Sequence, residues 1–317
     1  MKECPDASDG VPAVSFIVPC FNEQEAIPVF YEALLRVVEP MGISFEIIFT
    51  DDGSDDASLA EMRELAAKDS RVHYISFSRN FGKEAAMLAG FEASRGSTAT
   101  TMDVDLQDPP ELFPQLWEAV KSGEFDCAAT RRVTRKGEPP IRSFFARQFY
   151  KVMAKVSEAQ IVDGARDYRV MSRSMIDAIL ALRERNRFSK GLFSWVGFKT
   201  KWFEFENVER CAGETKWSFK KLLFYSFDGV VAFSTFPLQA ASFAGIFFAV
   251  ASVVGVIVTI AMRLCGHPMA WGWPTMICAI LFVAGIQLLC IGILGQYLAK
   301  TYIETKARPH YVVRERK

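Results

Sequence analysis

The stretch TTMDVDLQDPPEL, residues 100–112, sets Asp103, Asp105 and Asp108 within six residues, directly after an apolar run and directly before two prolines. Like charges that close repel unless a cation lies between them. A carboxylate pair with a nearby amide oxygen is a donor set for a hard divalent ion such as Mg2+ or Mn2+. On an extended strand Asp103 and Asp105 fall on one side, with Gln107 next in that row. The natural third partner of such an ion is a diphosphate. Asp108 has a plainer reading, because Asp before Pro at a helix start is ordinary capping. Capping leaves the Asp103 and Asp105 pair unexplained.

A second acidic cluster, FTDDGSDD, places Asp51, Asp52, Gly53 and Ser54 after an apolar strand and before a helix. Helix capping accounts for part of it. A carboxylate at the tip of a neighbouring strand can equally hold a ribose hydroxyl or a base N–H. Further on, VDGARDYRVMSRSM gathers Asp163, Arg166, Asp167 and Arg169, and RCAGETKWSF brings Arg210, Glu214 and Lys216 close to a long apolar segment. Taken singly, such charges are surface ion pairs. Next to a headgroup plane, the basic ones suit an anionic, membrane-held phosphate. No GxGxxG, no GxxxxGK[ST] and no nucleophile elbow is present, and NFGK at 80–83 is too short to stand as a phosphate loop by itself.

The elements that position these residues follow a repeating pattern. Short β-rich runs, VSFIVP (14–19), FEIIFT (45–50), VHYISFS (72–78), TATTMDV (98–104) and FDCAAT (125–130), alternate with segments whose apolar residues recur at three and four. This alternation predicts a mostly parallel sheet covered on both faces. Ligands of such sheets bind beyond the carboxyl ends of the strands, where CFNE, DDGSDD and DVDLQD all fall.

Two stretches near the C-terminus, 238–262 and 274–298, are apolar over lengths that suffice to cross a hydrocarbon core of roughly 30 Å. From Pro237 to Leu298 the sole formal charge is Arg263, while Lys216, Lys220 and Lys221 precede the first stretch and Lys300, Lys306, Arg308, Arg314, Arg316 and Lys317 follow the second. Positive charge on both outer flanks predicts a two-helix hairpin with both termini in the cytoplasm. Residues 213–236 mix Lys with Trp, Phe, Leu and Tyr, as an amphipathic segment in the interface plane would. The same residues also suit the last helix of the globular domain. Ala241, Gly245 and Ala249 recur every four residues, a spacing that permits close helix contact and a homo-oligomer.

Composition bounds the rest. The 317 residues balance 37 basic against 37 acidic side chains, which argues against nucleic acid as a partner. Seven cysteines with no CxxC pair, beside three histidines, speak against structural zinc or a disulfide scaffold and fit a reducing compartment. Residues 1–13 lack the basic and apolar regions of a secretory signal and read as a polar tail.

The segments IVPCFNEQE, TDDGSDD, RNFGKEAAMLAGF, MDVDLQDPPE, DYRVMSR, RFSKGLFSWVGF and AGETKWSFKKL occur in the order and spacing of family 2 glycosyltransferases. From about Val14 to Arg308 the chain resembles in particular the polyprenyl-phosphate glycosyltransferases, such as bactoprenol glucosyltransferase and dolichol-phosphate mannose synthase. The resemblance implies an α/β GT-A domain, Rossmann-like with a mostly parallel sheet, followed by a C-terminal transmembrane hairpin. It implies a nucleotide-sugar donor, a divalent metal, and inverting transfer of one sugar onto a polyprenyl phosphate in the plasma membrane. By position, Pro19, Phe21, Glu23 and Asp52 would hold the nucleoside, and Asp103 would sit by the ribose and the metal. Asp105 and Gln107 would bind that metal. Asp167 falls where the family places a candidate catalytic Asp, and Arg131, Arg169 and Lys216 fall where basic residues meet donor or acceptor phosphates.

Two departures are visible: Phe21 stands where Tyr is usual, and Val104 where Ala is usual. On this reading the chain comprises a tail (1–13), a GT-A domain (14–212), a juxtamembrane segment (213–236), two membrane helices (within 237–299) and a basic cytoplasmic tail (300–317). Analogy favours UDP-glucose and undecaprenyl phosphate as substrates. GDP-mannose, UDP-N-acetylglucosamine or an aminopentose donor is the alternative. A processive polysaccharide synthase would carry QxxRW and more spans, and a non-catalytic sugar-nucleotide-binding membrane protein would have no reason to keep Asp103, Asp105, Gln107 and Asp167 together.

Overall fold

In the computed structural model, residues 10–132, 162, 164–205, 236–265 and 272–317 are described. They belong to two compact units, Phe227–Ala307 and the remainder of the chain, which includes Arg308–Lys317.

The larger unit holds β1 (Val14–Cys20), α1 (Ala26–Val38), β2 (Phe45–Asp51), α2 (Ser58–Lys68), β3 (Val72–Phe77), α3 (Lys83–Ala93), β4 (Thr98–Thr101), α4 (Phe113–Lys121), β5 (Cys127–Arg132), β6 (Ala165–Ser172), α5 (Arg173–Ala181), α6 (Ser189–Trp195), β7 (Thr200–Phe205) and β8 (Val313–Arg316). The strands form one sheet in the order β7-β5-β6-β4-β1-β2-β3-β8. β6 and β8 run antiparallel to their neighbours and every other pairing is parallel. The predicted mostly parallel α/β sheet is therefore present.

Period-two burial builds the two faces. Phe16 and Val18 pack with Phe30, Phe49, Phe113 and Tyr168 on one side, whereas Ile17 packs with Phe91, Met171 and Phe193 on the other. On α1, Ile27, Phe30, Leu34 and Val38 are buried, the three- and four-residue spacing of a core-facing stripe.

Three features differ from the sequence expectation. β4 stops at Thr101, so Asp103 and Asp105 are not on an extended strand. The Met102 N–H makes the last rung to β1, donating to the Ile17 carbonyl at 3.0 Å, and the chain then turns through Leu106 at φ 55°. The two carboxylates therefore lie in a turn and not at alternating positions of a strand. A branched residue in the left-handed region costs roughly 1–2 kcal/mol, so the surrounding bonds must enforce this turn.

Asp108 is not an exposed cap either. It is fully buried and receives the Arg166 Nε–H at 2.9 Å, and the short 3-10 turn Pro110–Leu112 has no side-chain cap. Third, residues 300–317 are not a free tail. Residues 300–306 continue a helix and Val313–Arg316 form the edge strand β8 against β3.

Gly53 carries a fold-level prediction. Its φ is +69°, and a Cβ there would lie 2.4 Å from the Arg79 carbonyl carbon. Gly53→Ala therefore loses roughly 1–2 kcal/mol from the left-handed backbone alone, before any displacement of Arg79. Thermal unfolding followed by circular dichroism should show a lowered Tm. A variant as stable as the wild type would contradict the turn geometry.

The smaller unit contains α7 (Phe236–Leu264) and α8 (Trp273–Lys306). Both hold windows long and apolar enough to cross a membrane, Pro237–Gly255 and Phe282–Lys306. Phe243, Phe247, Leu288 and Leu298 on them are more than 60% exposed, where a water-soluble helix would carry polar side chains. Phe248 meets Phe282 edge-on at 5.6 Å between ring centres, and Cys290 Sγ lies 3.7 Å from the Ala241 carbonyl oxygen. Among the described residues, nothing apart from its own helix backbone and chain neighbours lies within 4 Å of where a Gly245 Cβ would stand.

Candidate active site

The loops after β1 and β2 are stitched to one another. Asn22 N–H donates to Ser54 Oγ at 2.9 Å while Asp55 N–H donates to Asn22 Oδ1 at 2.9 Å, and Glu23 N–H donates to Ser58 Oγ at 2.8 Å. This explains much of the DDGSDD cluster. Asp56 accepts from the backbone of Ser58 and Gln24, and buried Asp51 accepts from Ser54 N–H at 2.9 Å and Ser76 Oγ at 2.7 Å.

Asp52, expected at the nucleoside, turns its carboxylate to the backbone amides of Phe81 and Gly82, with bonds of 2.6 to 3.1 Å. Burial pushes its pKa up, against the pull of those amides. Asp52 thereby fixes the loop that leads into α3. Its neighbour Asp51, with Phe21, Gly53, Ser54, Ser76, Arg79, Asn80 and Arg314, lines a cavity of about 310 Å3 at the carboxyl ends of the strands. Pro19 lies in β1 opposite Thr50 of β2, beyond the last residue at which β4 pairs with β1. The Glu23 carbonyl accepts the first amides of α1.

Lys83, at the start of α3, is the residue that spacing alone did not single out. Its Nζ lies 2.6 Å from Asp103 Oδ1 and 2.8 Å from Asp167 Oδ2, so one ammonium joins two carboxylates that are 64 residues apart in sequence. Burial opposes the Lys83 charge, but Asp103 and Asp167 outweigh it and raise the pKa. For Asp167, burial is likewise overcome, here by Lys83, Lys190 and Arg169, which hold the carboxyl well below the usual carboxylate range. Arg166 serves the other side of the turn, 2.9 Å from Asp108 and 3.8 Å from Asp103 Oδ2. Burial pushes the Asp108 carboxyl up to about 6 despite that pairing.

Asp105 is 8% exposed and accepts the Gln107 N–H at 3.1 Å, so Asp105 and Gln107 share one turn just after Asp103. Among the described residues, no three acidic, histidine or cysteine side chains gather into a metal cluster. Two carboxylates are nevertheless the protein share that a Mg2+-type ion takes when diphosphate oxygens and water complete its shell. Hard oxygen donors, with Asp103 about one-quarter exposed, fit that requirement. In this structure the surplus negative charge is met by Lys83 and Arg166.

Two arginines on adjacent strands, Arg131 of β5 and Arg169 of β6, carry buried donors. Arg131 pairs with Glu204 on the next strand, yet its buried Nε has no partner among the described residues. Arg169 is 3% exposed, stacks on Phe193 at 3.9 Å, donates to the Arg166 carbonyl at 2.8 Å and also has an unpartnered Nε. A buried guanidinium donor left unbonded is costly. Arg169, Lys190, Phe193, Trp195 and Trp202 line a second cavity of about 420 Å3. Lys216, with Asp163, Arg210 and Glu214, lies outside the described residues.

The mostly parallel sheet and the family match together make this an enzyme of the GT-A glycosyltransferase class. The Glycosyl transferase family 2 model matches residues 15–180, and the chain belongs to that family. It is 40% identical over 305 residues to a bactoprenol glucosyl transferase of Shigella phage SfX, covering 96% of this chain and 99% of that one. To the prophage bactoprenol glucosyl transferase homolog of Escherichia coli (strain K12) it is 40% identical over 302 residues, covering 95% and 98%. An uncharacterized glycosyltransferase of Synechocystis sp. is 36% identical over 300 residues, covering 95% and 94%.

Proposed function

We propose that this chain moves one glucosyl residue, with inversion, from UDP-glucose to undecaprenyl phosphate, yielding a lipid-linked sugar for modification of cell-envelope glycans. The observation that carries this reading is the Asp103–Lys83–Asp167 bridge, which joins the DVDLQD turn, the start of α3 and β6 at one point. The bactoprenol and glucosyl terms in the names of relatives matched over nearly their whole length support the acceptor and the sugar. The apolar, outward-facing side chains of α7 and α8 support anchorage in the bilayer that holds such an acceptor, and the flanking Lys and Arg support cytoplasmic termini in a bacterial inner membrane.

Asp103, Asp105 and Gln107 are the residues that would hold Mg2+ or Mn2+. Bound there, the ion would offset the charge that develops on the departing nucleoside diphosphate. The chain's own residues do the rest. An oxygen of the acceptor phosphate attacks C1 of the sugar, the bond from C1 to the diphosphate oxygen breaks, and UDP departs with that electron pair. A phosphate monoester is already largely anionic at neutral pH, so no strong base is required.

Asp167, held ionised far below neutrality, is a poor proton acceptor and is better suited to orienting the acceptor or stabilising positive charge on the sugar ring. Arg131 and Arg169 supply guanidinium donors for phosphate oxygens, with Lys216 the third basic residue in that role. The test is transfer of label from a UDP-sugar into an organic-soluble lipid, dependent on both undecaprenyl phosphate and a divalent ion. Absence of any labelled lipid would overturn the reading.

A further inference from the structure

The cavity that holds Asp51, Ser76 and Arg79 is lined by the carboxyl ends of β1, β2 and β3, the loops that follow them and Leu59 of α2, and by one residue from far along the chain. Arg314 comes from β8, at the far end of the chain, beyond the second apolar helix. Its place depends on an irregularity in the pairing. Arg316 pairs with Ile75 and Glu315 with Ser76, but Phe77 pairs with Val313, so Arg314 is the extra residue of a β-bulge. Bulges on edge strands re-aim one side chain out of the alternating pattern.

The strand that carries the bulge is firmly held. Tyr311 stacks on Phe77 with ring centres 4.7 Å apart, Ser78 N–H donates to the Val312 carbonyl at 2.9 Å, and Lys317 N–H donates to the Tyr74 carbonyl at 3.0 Å. Glu315 accepts from Tyr74 Oη at 2.6 Å and from Arg63 Nε at 2.8 Å. Arg314 itself has no hydrogen bond or ion pair among the described residues. The strand is thus pinned on both sides of an arginine that lines the cavity.

We infer that Arg314 is a donor-nucleotide binding residue, delivered by the returning C-terminal strand. This rests on the nucleotide-sugar reading above. The cavity pairs the acceptor Asp51 with the donors Arg79 and Arg314 and with the hydroxyls of Ser54, Ser76 and Ser78. That mixture suits a nucleotide, which presents base N–H and carbonyl groups together with ribose hydroxyls and phosphate oxygens.

The test is isothermal titration of UDP into purified full-length protein in detergent, with Mn2+ present, for wild type, Arg314→Ala, Arg314→Lys and Arg316→Ala. Arg314→Ala should weaken UDP by roughly tenfold or more, the loss expected for a hydrogen bond from a charged group. Arg314→Lys should recover part of that, and Arg316→Ala should bind as wild type. KM for the sugar nucleotide should rise with kcat retained, as for a contact made equally in ground and transition states. Unchanged UDP affinity in Arg314→Ala, while the wild type binds UDP, would overturn this inference and leave the donor reading standing. A wild type that binds neither UDP nor GDP would overturn both.

Discussion

Asp105→Ala should lower sugar transfer by at least about 10³-fold, the scale of losing an interaction aimed at charge that develops in the transition state. Asp105 sits in the turn with Asp103 and Gln107, and the Gln107 N–H bond to its Oδ1 fixes the side chain toward that turn. Because the alanine variant also loses this bond, Asp105→Asn is the sharper probe. The amide oxygen can still accept from Gln107 N–H, but the negative charge is gone. Both variants should fold as the wild type does and both should be inactive. A second readout separates metal from mere shape: Mn2+ should tighten UDP binding to the wild type and have little effect on either variant. Full turnover by Asp105→Asn in a detergent assay would remove Asp105 from the metal site.

Asp167→Asn is the second large effect, expected to lower kcat by roughly 10²–10³ with donor affinity nearly unchanged. The direction follows from the Lys83 bridge. Lys83 lies 2.6 Å from Asp103 and 2.8 Å from Asp167, so the turn proposed to hold the donor's metal and the carboxylate proposed to serve the acceptor share one counter-charge. Removing the Asp167 charge leaves the donor side paired through Asp103 and Arg166, so UDP affinity should survive while transfer suffers. Lys83→Met should be worse than Asp167→Asn in both kcat and UDP affinity, because it removes the shared counter-charge and leaves Asp103 only the more distant Arg166, and Asp167 only Lys190 and Arg169. A pure loss of nucleotide affinity in Asp167→Asn would contradict its assignment to the transfer step.

The alternation of strands and helices was legible because the apolar periods of two and of three to four are local properties. Phe16 and Val18 against Ile17, or the Ile27, Phe30, Leu34 and Val38 stripe, can be read without any partner. Partnerships across long separations were not legible. Asp108 looks like a cap until Arg166, 58 residues later, is found against it. Lys83 looks like a lone cation in a short glycine-containing segment until β6 carries Asp167 to it.

Where β4 ends was hidden as well, since TATTMDV has strand-like composition throughout and the stop is set by the final rung to Ile17. The edge strand β8 was masked by its own charge. VRER has weak apolar alternation and follows a long apolar helix, so it reads as a tail, and the groups that hold it, Phe77, Tyr74 and Arg63, lie more than 200 residues earlier. Asp52 shows the opposite limit. The motif marks the loop after β2, but only the fold divides its carboxylates, Asp51 lining the cavity and Asp52 bonding the amides of Phe81 and Gly82.

The central claim, transfer of one sugar from a nucleotide donor to a polyprenyl phosphate, is tested most directly by one assay. Membranes or purified full-length protein are incubated with undecaprenyl phosphate, Mn2+ and a panel of radiolabelled UDP- and GDP-sugars, and label in the organic phase is counted. The account predicts labelled lipid with UDP-glucose, abolished by chelator, restored by added Mn2+, and absent without undecaprenyl phosphate. Label from a different donor would correct the sugar and keep the reaction class. No labelled lipid from any donor would contradict the account.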